Sequence, residues 1–150
     1  MDSTLYKQMV GSLMYLTATR PDLMYVVSLI SRSMESPKDS HWKVGKRILR
    51  YVAGTAGYGL WYTRTSDCTL TGYTDNDFVG CIDDRKYTSG YVFYFGTSLI
   101  SWESKKQPIV SLSSAEVEYV AATTATCHAV WLRRLLKDML HPVKDTTTMF

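Results

Sequence analysis

The chain has 150 residues, enough for one domain or for two small units. Hydrophobic residues make up 45% and charged residues 21%, a globular composition that excludes intrinsic disorder as its class. A net charge of +3 does not by itself indicate a nucleic-acid partner. The charge is uneven, because residues 1–63 hold 8 basic and 4 acidic side chains, whereas residues 64–150 hold 9 and 10. This asymmetry predicts two units with different roles.

Cysteine usage and hydropathy indicate an intracellular protein. The three cysteines (Cys68, Cys81 and Cys127) are an odd number without C-x-x-C spacing, which argues against a disulfide framework and a zinc site. No segment approaches the ~20 apolar residues of a membrane span, and the first residues lack the basic and then apolar pattern of a signal peptide. We therefore expect reduced thiols and a location in the cytoplasm or nucleus.

Residues 1–63 are predicted to form a helical segment. Pro21 suits the first turn of a second helix, and Asp39 or Ser40 can cap a third. Apolar residues recur at helical spacing. The three stripes are Met9, Leu13 and Leu16; then Leu23, Val27, Ile30 and Met34; and then Trp42, Leu49 and Val52.

Residues 64–150 are predicted to form an α/β unit. β-branched and aromatic residues indicate antiparallel strands at 70–75, 88–95, 99–103 and 109–112, with a turn at Gly96. A long helix is expected over residues 113–139, because Ser113 and Glu116 have capping-box spacing. Residues 146–150 begin a further strand. The helix is expected to bury Val117, Val120, Ala121, Trp131 and Leu135.

Two carboxylates are candidates for a metal site. Asp75 lies late in the first strand, and Glu118 lies in the first turns of the long helix. Carboxylates that face each other from a strand and an adjacent helix suit Mg²⁺, which prefers oxygen ligands and can activate water against a phosphodiester. Asp77 is more simply a turn residue. Glu116 is more simply explained by the capping box, and acidic residues are in any case favoured near a helix N-terminus.

Six stretches carry a family resemblance. In order they are YKQMVGSLMYLTATRPDLMYVVSLISR, HWKVGKRILRYVAGTAGYGLWY, GYTDNDFVGC, TSGYVFYFG, ISWESKKQPIVSLSSAEVEYVA and AVWLRRLL. They resemble the C-terminal region of copia-type LTR retrotransposon polyproteins. The resemblance implies a helical connection segment at 1–63 followed by a ribonuclease H-like (RNase H-like) domain at 64–150. The implied fold is a mixed α/β sheet with a long helix, truncated at the fourth strand.

The resemblance assigns catalytic and metal-binding roles to Asp75 and Glu118, and places Phe78 where the family usually has Trp. The family's third catalytic Asp lies in a Cys-Asp-Asn sequence directly after a strand like TTTMF, and the printed chain stops at Phe150. Asp145 lies before that strand and is a poor substitute. Because loss of an essential ligand removes most activity, we expect only weak Mg²⁺ binding and no competent nuclease. Residual metal-dependent cleavage of RNA–DNA hybrids remains an alternative.

The third predicted helix carries a basic cluster and a short motif. Lys43, Lys46, Arg47 and Arg50 share one helical face and can contact phosphates, although a solvated helix face is the simpler interpretation. Arg47-Ile48-Leu49-Arg50 also spells R-x-L-R, similar to the motif of secreted oomycete effectors. Leu49 is expected to be buried, and the signal peptide and acidic cluster typical of such effectors are not visible in this chain.

These observations leave three functions open. The first is a retrotransposon-derived, catalytically incompetent RNase H-like protein that binds an RNA–DNA hybrid, another nucleic acid or a protein. The second is a secreted R-x-L-R effector that acts on host proteins inside plant cells and modulates cell death or immunity. The third is a residual nuclease. Self-association is also expected, because an unfinished sheet exposes apolar surface.

Overall fold

The computed structural model of the protein describes residues 2–64, 67–76, 86–141, 143 and 145–150. The chain divides into two compact units, Met1–Leu60 and Trp61–Phe150. The domain assignment made from the sequence, 1–63 and 64–150, stays a prediction. None of the described helices is long and apolar enough to span a membrane.

The Met1–Leu60 unit is helical, as predicted. It contains α1 (Ser3–Leu16), a single 3₁₀ turn (Pro21–Leu23), α2 (Met24–Ser31) and α3 (Asp39–Gly54). The Asp2 carboxylate caps α1 by accepting the Thr4 N–H at 2.8 Å. The core consists of Tyr6, Val10, Leu13, Leu23, Val27, Ile30 and Ile48, with Met9, Leu16, Met34, Trp42 and Val52 packed around it. The first two predicted stripes therefore face this core.

Two predictions for α3 are wrong. Ile48, and not Leu49, is buried, and Leu49 is 46% exposed. At 100° per residue, Ile48 shares the inner face with Gly45, whereas Leu49 lies on its flank. Lys38, rather than Asp39 or Ser40, precedes the helix, and its N–H donates to Nδ1 of His41 at 3.1 Å. The His41 imidazole therefore makes the hydrogen bond that a residue at the third helical position makes to the N-cap N–H in a capping box.

The Trp61–Phe150 unit is mixed α/β. Strands β1 (Leu70–Asn76), β2 (Thr88–Phe95) and β3 (Ser98–Lys106) form an antiparallel meander, and Gly96 adopts a positive φ of 57° in the turn between β2 and β3. Helix α4 (Ser114–Asp138) returns the chain so that β4 (Thr148–Met149) pairs in parallel with β1. The strand order is β3-β2-β1-β4. The meander, the long helix and the last strand were predicted from the sequence.

The sequence placed one strand wrongly. Residues 109–112 form a connection rather than a strand, because β3 already extends to Lys106 and Pro108 follows it. In this connection Ile109, Val110 and Leu112 are exposed. The sequence pattern therefore ended β3 three residues too early and assigned a further strand to the connection.

The buried face of α4 also differs from the prediction. Trp131 is 54% exposed and Leu135 is 38% exposed, whereas small side chains pack toward the sheet. The buried stripe is Val117, Ala121, Ala125, Ala129 and Leu132. Alanine at every fourth position lets the helix approach the sheet closely, and the larger residues lie on the flanks of that stripe. The core of this unit is Leu70, Phe93, Ala125, Ala129 and Leu132.

Some sequence predictions concern residues beyond this description. Asp77, Phe78, Cys81 and Pro142 lie outside the described residues. Cys68 and Cys127 do not form a disulfide with each other.

Candidate functional site

A cleft between the end of β1 and the start of α4 contains both candidate carboxylates. Its volume is about 610 Å³, within the range of small-molecule sites. Asp75 and Asn76 line it from β1, and Ser113, Ser114 and Glu118 line it from the beginning of α4. Asp75 and Glu118 are both exposed to solvent. The structure therefore brings the two predicted residues to one accessible cleft.

Strand register and helix capping determine where these two side chains lie. Asp75 pairs with Gly90 of β2, and its Oδ1 accepts the Asn76 N–H at 2.7 Å. Ser113 caps α4 by accepting the Glu116 N–H at 3.2 Å. The Glu116 carboxylate accepts the Leu112 N–H at 2.7 Å. Glu116 therefore takes part in capping α4, as the sequence suggested, whereas Glu118 lines the cleft.

The donor chemistry of the cleft fits a hard divalent cation. Mg²⁺ is commonly held by one or two carboxylates while water and substrate phosphate complete its shell, and Asp75 and Glu118 supply two. Among the described residues, no group of three or more His, Cys, Asp or Glu side chains converges on one point. The N-terminus of α4 also borders the cleft, and its N–H groups and dipole favour an anion such as phosphate.

The basic face of α3 is the second candidate site. Lys43, Lys46, Arg47 and Arg50 are all exposed, on the side of the helix opposite Gly45 and Ile48. The ammonium of Lys46 lies 5.5 Å from the centre of the Trp42 ring, a cation–π contact. The four cations share one exposed face of α3, and only the Ile48 position of R-x-L-R lies in the core.

An aromatic cluster around His128 of α4 had no sequence signal. The His128 ring stacks on Tyr91 with centroids 4.6 Å apart, and it lies 5.5 Å from Phe93 and 5.2 Å from Trp131. A hydrogen bond of 2.7 Å joins Nε2 of His128 to Oγ of Ser101. Only the packing of α4 on β2 and β3 brings these residues together, because they are distant in sequence.

Stability of the Trp61–Phe150 unit is expected to fall as pH drops below about 6.5. Burial lowers the pKa of His128, although nearby Glu103 opposes this. His128 therefore takes up a proton at a higher pH in the unfolded chain than in the folded chain. The free energy of unfolding is at its full value above the ordinary histidine pKa and decreases as the pH falls below that pKa. Urea unfolding between pH 5 and 8 should show a weaker pH dependence in His128→Phe. The exposed His141→Phe is the matched control, and an unchanged slope in His128→Phe would contradict this assignment.

Comparisons with known proteins place the chain among transposon sequences. It is 47% identical over 135 residues to the retrovirus-related Pol polyprotein from transposon TNT 1-94 of Nicotiana tabacum, covering 89% of this chain and 10% of that protein. It is 43% identical over 138 residues to the corresponding polyprotein from transposon RE2 of Arabidopsis thaliana, covering 92% of this chain and 10% of that protein. The chain thus spans about a tenth of the polyproteins' length.

A third relative is of similar size to this chain. The secreted RxLR effector protein 161 of Plasmopara viticola is 46% identical over 128 residues, which cover 85% of this chain and 90% of that protein. No protein-family model matches the chain. No solved structure matches it either.

Proposed function

Because the chain is similar over most of its length to one region of retrovirus-related Pol polyproteins from transposons, we propose that it is an RNase H-like module of retrotransposon origin that binds RNA–DNA hybrids. The observation that carries this proposal is the cleft that holds Asp75 and Glu118 on facing elements. The strand order β3-β2-β1-β4, with β4 parallel to β1, supports an RNase H-like fold. The exposed basic face of α3 supplies contacts to phosphates.

Asp75 and Glu118 would hold Mg²⁺, and the N-terminus of α4 would accept a phosphate of the hybrid. When bound, the ion would orient that phosphate and lower the pKa of a coordinated water. The described part of the chain brings two carboxylates to this cleft, and a two-metal hydrolytic site needs more ligands. We therefore propose that residues 1–150 bind metal and hybrid without efficient cleavage.

Strand register indicates where a third carboxylate would be effective. Thr71 pairs with Thr148 and Gly72 with Met149, so the second position after Phe150 in a longer chain would lie beside Asp75. Stacking of Phe150 on Tyr73, with centroids 5.1 Å apart, agrees with this register. The family resemblance places an aspartate at that position. Extending the chain by Cys-Asp-Asn should therefore produce Mg²⁺-dependent cleavage of a hybrid.

Manganese titration tests the cleft directly. Mn²⁺ should broaden the amide NMR signals around Asn76 and Glu118, and both Asp75→Asn and Glu118→Gln should abolish that selective broadening because each removes an anionic ligand. The exposed Asp138→Asn is the matched control in the same unit. Equal broadening in all four proteins would refute the cation site. Robust hybrid cleavage by the 150-residue chain that Asp75→Asn eliminates would overturn catalytic incompetence.

An effector role is the second candidate, and the observation that favours it is the similarity to effector protein 161 over most of that protein's length. We propose that in this role Arg47 and Arg50, both exposed and one turn apart on α3, contact a host protein after secretion and delivery into plant cells. Expression in plant tissue would then alter cell death. Loss of this effect in R47A/R50A but not in K43A/K46A would favour the effector role, because phosphate binding predicts similar losses when either pair of cations is removed.

A further inference from the structure

Gln107 is a buried amide at the junction of three elements. It follows β3 directly, is 4% exposed, and its Nε2 donates to Oγ of Ser89 on β2 at 2.6 Å. The same Nε2 donates to the backbone carbonyl of Val117 on α4 at 3.1 Å. Its Oε1 accepts a hydrogen bond from Ser111 in the connection at 3.4 Å. One side chain therefore holds β2, the connection and the first turns of α4 together.

The hydrogen bonds continue from Gln107 to the end of β1. Oγ of Ser89 accepts from Gln107 and donates its own proton to Oδ1 of Asn76 at 3.0 Å. The Asn76 N–H in turn donates to the Asp75 carboxylate at 2.7 Å. The donor and acceptor roles are consistent from Gln107 through Ser89 to the Asn76 side chain, and the backbone N–H of the same Asn76 holds the Asp75 carboxylate.

Both ends of this network are next to a carboxylate of the cleft. Asn76 directly follows Asp75 in β1, and Val117 directly precedes Glu118 in α4. We propose that Gln107 is a positioning residue that sets the separation of the Asp75 and Glu118 carboxylates and thereby the affinity of the cleft for a divalent cation. This inference rests on the proposed cation site. Gln107 itself touches neither the ion nor the substrate.

The physical basis is the small tolerance of a metal site for displacement. Groups that orient metal ligands from behind typically change metal affinity 10–100-fold when they are removed. Gln107→Met keeps the length of the side chain and its neutral charge but removes both N–H donors, so the Ser89 hydroxyl and the Val117 carbonyl lose their shared partner. Ser89→Ala is a milder change that removes only the connection between Gln107 and Asn76.

The test is the Mn²⁺ dissociation constant of the 150-residue chain, measured by paramagnetic broadening at a temperature where every variant is fully folded. Gln107→Met should weaken Mn²⁺ binding about tenfold, and Ser89→Ala by a smaller factor in the same direction. Ala129→Gly is the control, since it destabilises α4 about three turns beyond Glu118 without touching the network. Its Mn²⁺ affinity should equal that of the wild type.

Each outcome decides a separate question. Unchanged affinity in Gln107→Met and Ser89→Ala, with binding abolished in Asp75→Asn, would overturn the positioning role and leave the cation site intact. Equal weakening in Ala129→Gly would assign the effect to general destabilisation and would also overturn it. If Gln107→Met does not fold, Ser89→Ala decides alone. Unaffected binding in Asp75→Asn would remove the cation site and this inference with it.

Discussion

Neutralising Lys43, Lys46, Arg47 and Arg50 to glutamine should remove most of the salt dependence of hybrid binding. For the wild type, four phosphate contacts predict a loss of affinity of roughly 100-fold between 50 and 200 mM salt, since each contact contributes a slope of about −0.9. The quadruple variant should bind the hybrid more weakly at low salt. The slope of its log binding constant against log salt concentration should be smaller in magnitude by up to about four. Fluorescence anisotropy of a labelled RNA–DNA hybrid measures both quantities.

The control for this experiment has the same change of charge at other positions. Lys7, Arg64, Arg134 and Lys137 are exposed, and changing all four to glutamine alters the net charge equally. A specific binding face predicts that this control keeps most of the salt slope. If both quadruple variants lose the same affinity, the attraction comes from overall charge and α3 has no special role. Circular dichroism should show unchanged helix content, because all four side chains of α3 are exposed.

Replacing Arg20 by alanine is expected to lower the melting temperature of the Met1–Leu60 unit by at least about 10 °C. Arg20 is 6% exposed, and its guanidinium forms a bidentate pair with Asp22, through Nε at 2.9 Å and Nη2 at 2.7 Å. It also donates to the carbonyl and hydroxyl of Thr55 at 3.1 and 2.8 Å. Removing it takes the guanidinium donors from both residues, although Oδ2 of Asp22 keeps the Tyr51 hydroxyl at 3.0 Å. A unit this small has little stability to lose.

Thermal melts followed through the amide NMR signals of α1–α3 measure the effect of Arg20→Ala. Arg20→Lys should be intermediate, because an ammonium cannot reproduce the planar fork, and the exposed Lys7→Ala should change the melting temperature little. Hydrogen bonding to Arg20 lowers the pKa of Asp22. The contribution of this ion pair to the free energy of unfolding is therefore present above the ordinary carboxyl pKa and is lost at more acidic pH. A wild-type-like melt of Arg20→Ala would contradict the role of this network.

Local pattern was sufficient for most of the elements. Apolar spacing predicted the three helices of the first unit, and β-branched and aromatic runs predicted β1, β2 and the beginning of β3. The capping box at Ser113 and Glu116 predicted the start of α4. These features depend on neighbours within a few residues, so the sequence contains the required information.

Side-chain burial was less predictable than the elements themselves. Leu49 and Ile48 are both apolar and adjacent, and only the approach of α1 and α2 to α3 decided which of them entered the core. Trp131 and Leu135 were expected inside because they are large, yet the sheet accepts the alanine stripe of α4. A single helix can carry apolar residues on more than one face, and tertiary packing decides which of these faces is buried.

The sequence by itself determined the family, the mixed α/β character of the second unit, the basic face of α3 and the identity of Asp75 and Glu118 as candidates. Only the tertiary structure decided that these carboxylates share one cleft and that hydrogen bonds join Gln107 to Val117 and, through Ser89, to Asn76. The physical reason is distance along the chain: β2, β3 and the connection before α4 lie between Asp75 and Glu118, and a single buried amide leaves no periodic pattern in the sequence. The hydrogen bond between Arg20 and Thr55 was equally unpredictable, because it joins residues far apart in the sequence and no local pattern encodes their packing.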